Sequence, residues 1–358
     1  GFSFSQATNS SEITLSEAAT TAGKSRRSRQ MFNDSLAPAE WSFSTYVRPI
    51  KCVPGNGTVW MDTGSDAHVH AVEEALWVNF ASNSAWTASS GDTEGSWSNG
   101  CTNTTGQSAI DFAESEVPEL GTFDLFFVMG KSGSEQVYKC ASAVVNEASI
   151  DFELDGIATI NWSGFASLIS DEGSTVPTAT NTINEQIAST DNFIRNRLTT
   201  LTMVAADTTT FAGDGDNDGT YNLTLTGGNL TFSNSITYLT PEEIGRVNQP
   251  IGHVAGTRVF GGNFTCYLND ATGGSADLFQ DLILATGSPV NEFDLTFKVG
   301  GNSGPRLDVN MNHCHLEIPT HSIEDAISIE VNFHALPANI DPAASPGLYE
   351  ASLVYKTA

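Results

Sequence analysis

The chain writes nearly the same eight residues twice, FDLFFVMG from Phe123 to Gly130 and FDLTFKVG from Phe293 to Gly300. Read with a period of two, the second copy puts Phe293, Leu295, Phe297 and Val299 on one face and Asp294, Thr296 and Lys298 on the other, as a half-buried strand requires. The first copy keeps Phe123, Leu125, Phe127 and Met129 on the inner face but adds Phe126 and Val128 to the outer one, so both of its faces are expected to meet protein. A repeat of this kind favours folds built from one strand-rich unit used twice.

The surroundings repeat in the same order. Before each copy lies an aromatic alternating strand, WSFSTYVRP from Trp41 and GNFTCYLND from Gly262, followed by a short amphipathic helix. The first helix, AVEEALWVNFA, is expected to bury Val72, Ala75, Leu76 and Phe80. The second, SADLFQDLILATG, is expected to bury Leu278, Leu282 and Ala285, with Ser275 as N-cap and Gly287 as the stop. After each copy come a Cys-bearing segment, in which the HCH of His313 to His315 takes the place of the first copy's YKC, and a closing strand, GIATINWSGF from Gly156 and AISIEVNFHAL from Ala326. The expectation is an α+β chain, mainly antiparallel β, made of two tandem sandwich domains that each carry a flanking helix. The first spans 1–172, with an N-terminal basic arm and a long insertion at about 84–122. The second spans 173–358, with a linker, the second domain and a C-terminal strand. A length of 358 residues suits two domains, and 39% hydrophobic residues alongside abundant Gly, Ser, Thr and Asn suit strands rather than exposed helices.

Where the copies differ, further expectations arise. The forty or so residues between helix and FDL strand in the first half correspond to only TGSPVN in the second, and so long a loop is usually functional or mobile. YNLTLTGGNLTFSNSITYL reads as a hairpin turning at Gly227, Gly228 and Asn229. SDEGSTVPTATNTINEQ reads as a linker, with a helix after it through Ile183, Ile187, Ile194 and Leu198. LYEASLVYK near the end reads as a strand that completes a sheet on either domain or on another subunit.

Charge narrows the function. Forty-two acidic against 15 basic residues give −27. A chain this poor in Lys and Arg does not seek phosphates, whereas the same charge suits a surface that nucleic acid must pass without sticking, or plain solubility. No apolar run approaches the eighteen or so residues that span a bilayer, and GFSFSQATNSSEITLSEAA lacks a basic-then-apolar leader. The five cysteines are odd in number and widely spaced, which favours reduced thiols over a Cys52–Cys101 disulfide.

The segments DSLAPAEWSFSTYVRP from Asp34, HAVEEALW from His70, SIDFELDGIATINWSGF from Ser149, and ITYLTPEEIGRVNQPIGHVAGTR from Ile236 followed by GNFTCYL together resemble tail tube proteins of long-tailed bacteriophages. The resemblance implies two antiparallel sheets with a flanking helix, inner sheets joined between subunits into a barrel, and loops reaching the next ring. It further implies a non-enzymatic virion protein, assembled in the host cytoplasm, whose stacked rings form a negatively charged channel for DNA during genome ejection. Expected partners are copies of itself, other tail proteins such as tape measure and terminator, and a sheath if the tail contracts. A tandem duplication would let three chains make a pseudo-sixfold ring where single-domain relatives use six. The cluster Lys24, Arg26, Arg27 and Arg29 holds four of the positive charges within six residues and is read as a mobile arm docking onto an acidic neighbouring ring.

DGDNDG, from Asp214 to Gly219, sets Asp214, Asp216 and Asp218 at positions 1, 3 and 5 of a calcium loop, but position 12 is Leu225 rather than Glu, and a polar turn is expected. The alternative reading built on it is a secreted calcium-dependent β-sandwich adhesin or carbohydrate-binding module. His68 and His70 form an HxH pair without a partner motif at metal spacing, and His313, Cys314 and His315 are expected to be structural. No GxSxG elbow, GxxxxGK[ST] loop or GxGxxG is present, so neither catalysis nor a cofactor is expected.

Overall fold

The computed structural model describes residues 1–17, 26–52, 59–60, 68–87, 96–112, 120–131, 133–177, 182–183, 192–214, 218–245, 247–287, 291–323, 327–337 and 350–357. These residues are mostly antiparallel β, 58% strand, with two α-helices. The principal elements in chain order are β1 (Phe2–Ser5), β2 (Thr8–Glu17), β3 (Arg26–Leu36), β4 (Ala39–Tyr46), α1 (Glu74–Ala81), β5 (Cys101–Asn103), β6 (Gln107–Asp111), β7 (Phe123–Lys131), β8 (Ser134–Glu153), β9 (Thr159–Ala166) and β10 (Leu168–Gly173). They continue with β11 (Thr200–Ala205), β12 (Leu225–Ser233), β13 (Thr237–Leu239), β14 (Gly252–Val254), β15 (Val259–Tyr267), α2 (Ser275–Leu284), β16 (Phe293–Val299), β17 (Arg306–Leu316), β18 (Thr320–Ile323), β19 (Ile327–Ala335) and β20 (Ser352–Lys356).

Eight strands lie side by side in the order β1-β4-β9-β8-β12-β15-β19-β18, each antiparallel to its neighbour. The 20-residue β8 is long enough to serve two layers. Its C-terminal part sits in this sheet, and its N-terminal part pairs with β7 and β10 in the second layer. The second layer also holds the ladder β11-β16-β17-β20-β6-β5. The inward side chains of both layers merge into one apolar core drawn from both halves of the chain, in which the Phe152 and Phe297 rings lie 5.6 Å apart.

The repeated FDL has a structural reason. Both FDL strands pair with the strand that follows, and both ladders carry a bulge at the same place, between Phe123 and Leu125 and between Phe293 and Leu295. The extra residue opposite, Ser142 in one half and His313 in the other, takes a positive φ of 50° and 61°. Its N–H donates to the Asp of the motif, Asp124 Oδ1 at 3.2 Å and Asp294 Oδ1 at 3.3 Å. Phe and Leu point into the core while Asp satisfies the donor that the bulge frees.

Several expectations are corrected. In α1 the buried side is Glu74, Trp77, Val78 and Ala81 together with Phe80, while Ala75 is exposed and Val72 and Leu76 are only half-buried. The Trp77 ring, 4.6 Å from Trp162, sets that rotation. Gly227 to Asn229 form no turn but run within β12. Any Cβ at Gly228 would stand 2.6 Å from the Phe152 ring, so that glycine serves close packing. The first residue of α2 is Ser275, with Gly274 at the N-cap position. The Ser275 hydroxyl bridges Tyr267 O and Asn269 N. Of the helix expected through Ile183, Ile187, Ile194 and Leu198, residues 184–191 lie outside the described residues, and the described ends are not α-helical. Ile183 pairs with Trp60, Ile194 is buried in the core, and Asn196–Leu198 is a 3-10 turn. The bulge register also shifts the HCH segment, since Phe123 faces Ala143 and Phe293 faces Cys314, which makes Met311 the counterpart of Cys140. The C-terminal strand β20 does complete a sheet, as expected, and it does so with both halves at once, lying between β17 of the second and β6 of the first-half insertion.

Candidate functional site

Alternation gives the eight-stranded sheet one apolar and one polar face. Trp41, Ile150, Trp162, Leu230, Phe264, Val331 and Phe333 are buried on the core side. The opposite face is built from short polar side chains in register, with Ser149 beside Asn161 and Thr231, and Glu147 beside Ser163 and Ser233. Five carboxylates stand exposed on it, Glu40, Glu147, Asp151, Glu153 and Glu330, and these strand segments carry none of the chain's 15 Lys and Arg. Asp151 is held by amides from both flanking strands, Asn161 Nδ2 at 3.1 Å and Asn229 Nδ2, and the ladder extends through Ser44 Oγ to Asn161 Oδ1 at 2.8 Å. The result is a hydrated, anionic wall with short side chains. It repels phosphates and offers them no bidentate partner.

Beside this wall stand two hairpins in matching places of the topology: β2–β3 between β1 and β4, and β13–β14 between β12 and β15. The base of the first meets the connecting loop of the second, with Leu36 N donating to Asn248 O at 2.8 Å and Asn248 N to Asp34 O at 3.2 Å. Both carry exposed apolar side chains, Ile13, Met31 and Phe32 on the first and Leu239, Ile251 and Val254 on the second. Of the basic cluster, Arg26, Arg27 and Arg29 lie on β3 opposite Glu17, Ser16 and Thr14, towards the distal end of the first hairpin. Lys24 lies outside the described residues. The expected mobile arm is therefore a ten-pair β-ladder, because TNSSEITLSE and RRSRQMFNDSL alternate well enough to pair with each other. Arg29 Nη1 approaches Glu12 at 3.8 Å in full solvent, a contact of little energetic weight.

The insertion folds onto α1 through Glu73 and Glu74, the carboxylates beside the HxH pair. Glu74 accepts from Trp97 Nε1 at 2.7 Å, Asn103 Nδ2 at 2.8 Å and Ser108 Oγ at 3.2 Å, and pairs with His70 Nδ1 at 3.0 Å. Burial pushes its pKa up, but the bonds from His70, Asn103 and Trp97 outweigh that and hold it below the ordinary value. Its neighbour Glu73 accepts from Tyr355 Oη at 2.6 Å, and Trp77 Nε1 donates to the same oxygen at 2.7 Å. Burial dominates there and raises the Glu73 pKa to about 8, against the lowering effect of the Tyr355 bond. His70 thus belongs to a carboxylate network that positions the insertion. The EE pair before a Trp was the only local signal, since the partners lie up to 282 residues away.

Asp218 Oδ1 accepts from Thr220 N at 2.8 Å as a turn-forming residue, Asp214 is half-buried, and Asp216 lies outside the described residues. No group of three or more His, Cys, Asp or Glu side chains is arranged to hold a metal among the described residues. His313 pairs with Glu292, and the His321 ring stands edge-on to Phe279 at 4.2 Å. Cys101, Cys140, Cys266 and Cys314 are free thiols, which removes the Cys52–Cys101 pairing. No helix among the described residues is long and apolar enough to cross a membrane.

No family model matches the chain. It is 30% identical over 345 residues to the tail tube protein pb6 of Escherichia phage T5, a match that covers 95% of this chain and 67% of that protein.

Proposed function

Because the chain belongs to the bacteriophage tail tube proteins and is a structural component of the virion tail, we propose that three copies close into a ring whose inner wall is the anionic sheet face. Such rings stack into a channel that DNA crosses without binding. The observation that carries this is the eight-stranded face with five exposed carboxylates and no Lys or Arg. Strand spacing and a typical barrel tilt give three eight-stranded sheets a backbone diameter of about 50 Å and six sheets about 100 Å. Only the smaller keeps a duplex close to the charged wall, because the field decays over about 8–10 Å in physiological salt.

The two segments 1–172 and 173–358 are read as two copies of one unit. In support of this, the same elements recur in the same order with the same pairings, bulge included. The hairpins are read as the stacking elements, with Lys24, Arg26, Arg27 and Arg29 meeting the acidic surface of the next ring. The ends of the tube would receive terminator proteins, and the channel the tape measure.

The test is electron microscopy of purified protein, where hollow tubes or rings of three chains are expected and lone monomers at high concentration would refute the reading. A charge-reversed wall, Glu147→Lys with Asp151→Lys and Glu153→Lys, should still assemble but retain DNA in a strongly salt-dependent way. Tubes that still ignore DNA would put the wall elsewhere.

A further inference from the structure

Outside the wall, the joint between the two halves is held by polar ties at the end of α1. Arg258 donates from Nη1 to Ala81 O at 3.4 Å and from Nη2 to Phe112 O at 2.8 Å, and its Nε meets Glu350 Oε2 at 2.5 Å. An ion pair of the second half thus receives the C-terminal end of the first half's helix. The insertion covers the outer side of that helix. Trp97 and Asn103 donate to Glu74, Gly121 N donates to Ser82 O at 3.1 Å, and Val78 and Asn79 are buried.

The counterparts of Arg258, Glu350 and Asn79 are all apolar. Trp41 faces Gly164 as Gly262 faces Phe333, which makes Ala37 the counterpart of Arg258. Leu125 faces Cys140 as Leu295 faces Met311, and Lys139 faces Ser170 as Asn310 faces Ser352, which makes Leu168 the counterpart of Glu350. Along the helices the buried Glu73, Trp77 and Phe80 match the buried Leu278, Leu282 and Ala285, so Ile283 and Leu284 take the places of Val78 and Asn79. The second half has only TGSPVN where the first has its insertion, and Ile283 is 42% and Leu284 71% exposed. Leu168, on the first half, is 40% exposed. In a ring of three duplicated chains, the second half of one chain meets the first half of the next as the two halves meet within a chain. That operation carries the end of α2 onto Leu168 and Ala37 of the neighbour, and so brings together apolar side chains that the single chain leaves exposed.

We propose that Ile283 and Leu284 of one chain pack against Leu168 and Ala37 of the next, an apolar contact outside the wall at the place where the joint within the chain uses the Arg258–Glu350 pair. This rests on the ring reading and adds to it a surface between the outer layers. The chemistry suits the two joints. The joint within a chain forms as the chain folds, and its buried ion pair is held by hydrogen bonds to carbonyls. Separate chains gain on meeting by covering apolar surface, without stripping water from charges.

The test is assembly of variants at these exposed positions. Leu284→Asp and Leu168→Glu should each leave the Tm of the unassembled chain unchanged. Each should raise the protein concentration needed for tubes by at least about tenfold, because a charge is then buried unpaired at the joint. Adding Ala37→Arg to Leu168→Glu installs the ion pair of the internal joint and should recover most of that loss. Failure to recover it overturns the placing of Ala37 and Leu168 in one contact. If either single variant forms tubes at the wild-type concentration, the surface is overturned while the ring stands. If the wild-type protein makes no rings, both fall together. Should a variant melt early, hydrogen exchange on the unmodified protein decides. Amides of residues 283–285 and 168–170 should slow by about tenfold or more on assembly, and unchanged exchange in either segment overturns the proposal.

Discussion

The two halves reach the same pairing with their bulk transposed. In the first, Trp41 on the opening strand crosses Gly164 on the closing strand. In the second, Gly262 on the opening strand crosses Phe333 on the closing strand. A Cβ on Gly164 would stand 2.1 Å from Val144 O and 2.4 Å from the Trp41 ring, while one on Gly262 would stand 2.0 Å from Asn229 O, so a neighbouring strand's backbone holds both positions to glycine and in the first half the ring adds to it. What the fold conserves is the filled volume under the sheet, and either strand can supply it. The halves diverge elsewhere: the first carries the insertion and its buried carboxylates, whereas among the described residues the second half's edge strand β18 pairs only with β19.

The largest effect expected from breaking this comparison is in the helices. Trp77→Ala should cost about 3–5 kcal/mol and Leu278→Ala about 2–5 kcal/mol in chemical denaturation. A smaller loss for Trp77 than for Leu278 would contradict the aromatic cluster as the heavier part of the shared core. Next, Gly164→Phe alone should overpack by about 1–3 kcal/mol or more, and Trp41→Gly alone should leave a cavity. The double variant, which moves the second half's arrangement into the first, should recover the Trp41 ring's share of the loss but not that of Val144 O, 2.1 Å from the same Cβ. Simple additivity of the two would show that the transposition is incidental.

A third prediction concerns the first half alone. Glu73 in the folded chain holds its proton up to about pH 8, against an ordinary value of 4.5. The folded state therefore binds more protons than the unfolded one between those values, and stability contributed there is present below pH 4.5 and lost as pH rises towards 8. Glu73→Gln should remove that slope in thermal melts across this window, and an unchanged slope would place the titration elsewhere. The smallest effect is at the bulges. Ser142→Gly should stabilise by up to about 1 kcal/mol by relieving its positive φ, while His313→Gly should gain less because it forfeits the Glu292 pair.

The β class, the FDL strands, the α2 face and the tail tube family were legible in the sequence, because each rests on local alternation or on segments that carry the family likeness, but the first FDL strand's outer face is not covered as expected, since Val128 is exposed and Phe126 only half-buried. The α1 face was not. Its rotation is set by Trp162 and by Tyr355 binding Glu73, partners far away in the chain, and burying two adjacent carboxylates inverts the usual reading of a polar stripe. Gly227 and Gly228 carried a turn signal, yet the Phe152 ring needs that space, a demand that only the folded sheet reveals. The anionic wall was legible as net charge but not as a place. Its five carboxylates are scattered over three strands, and register alone brings them to one face.

The central claim is that this face lines a ring of three duplicated chains. A helical reconstruction of the purified tube measures it directly. The account predicts three chains per ring, with Glu147, Asp151 and Glu330 facing the channel and the Lys356–Asp308 layer outside. Six chains per ring, or these carboxylates on the outer surface, would contradict it.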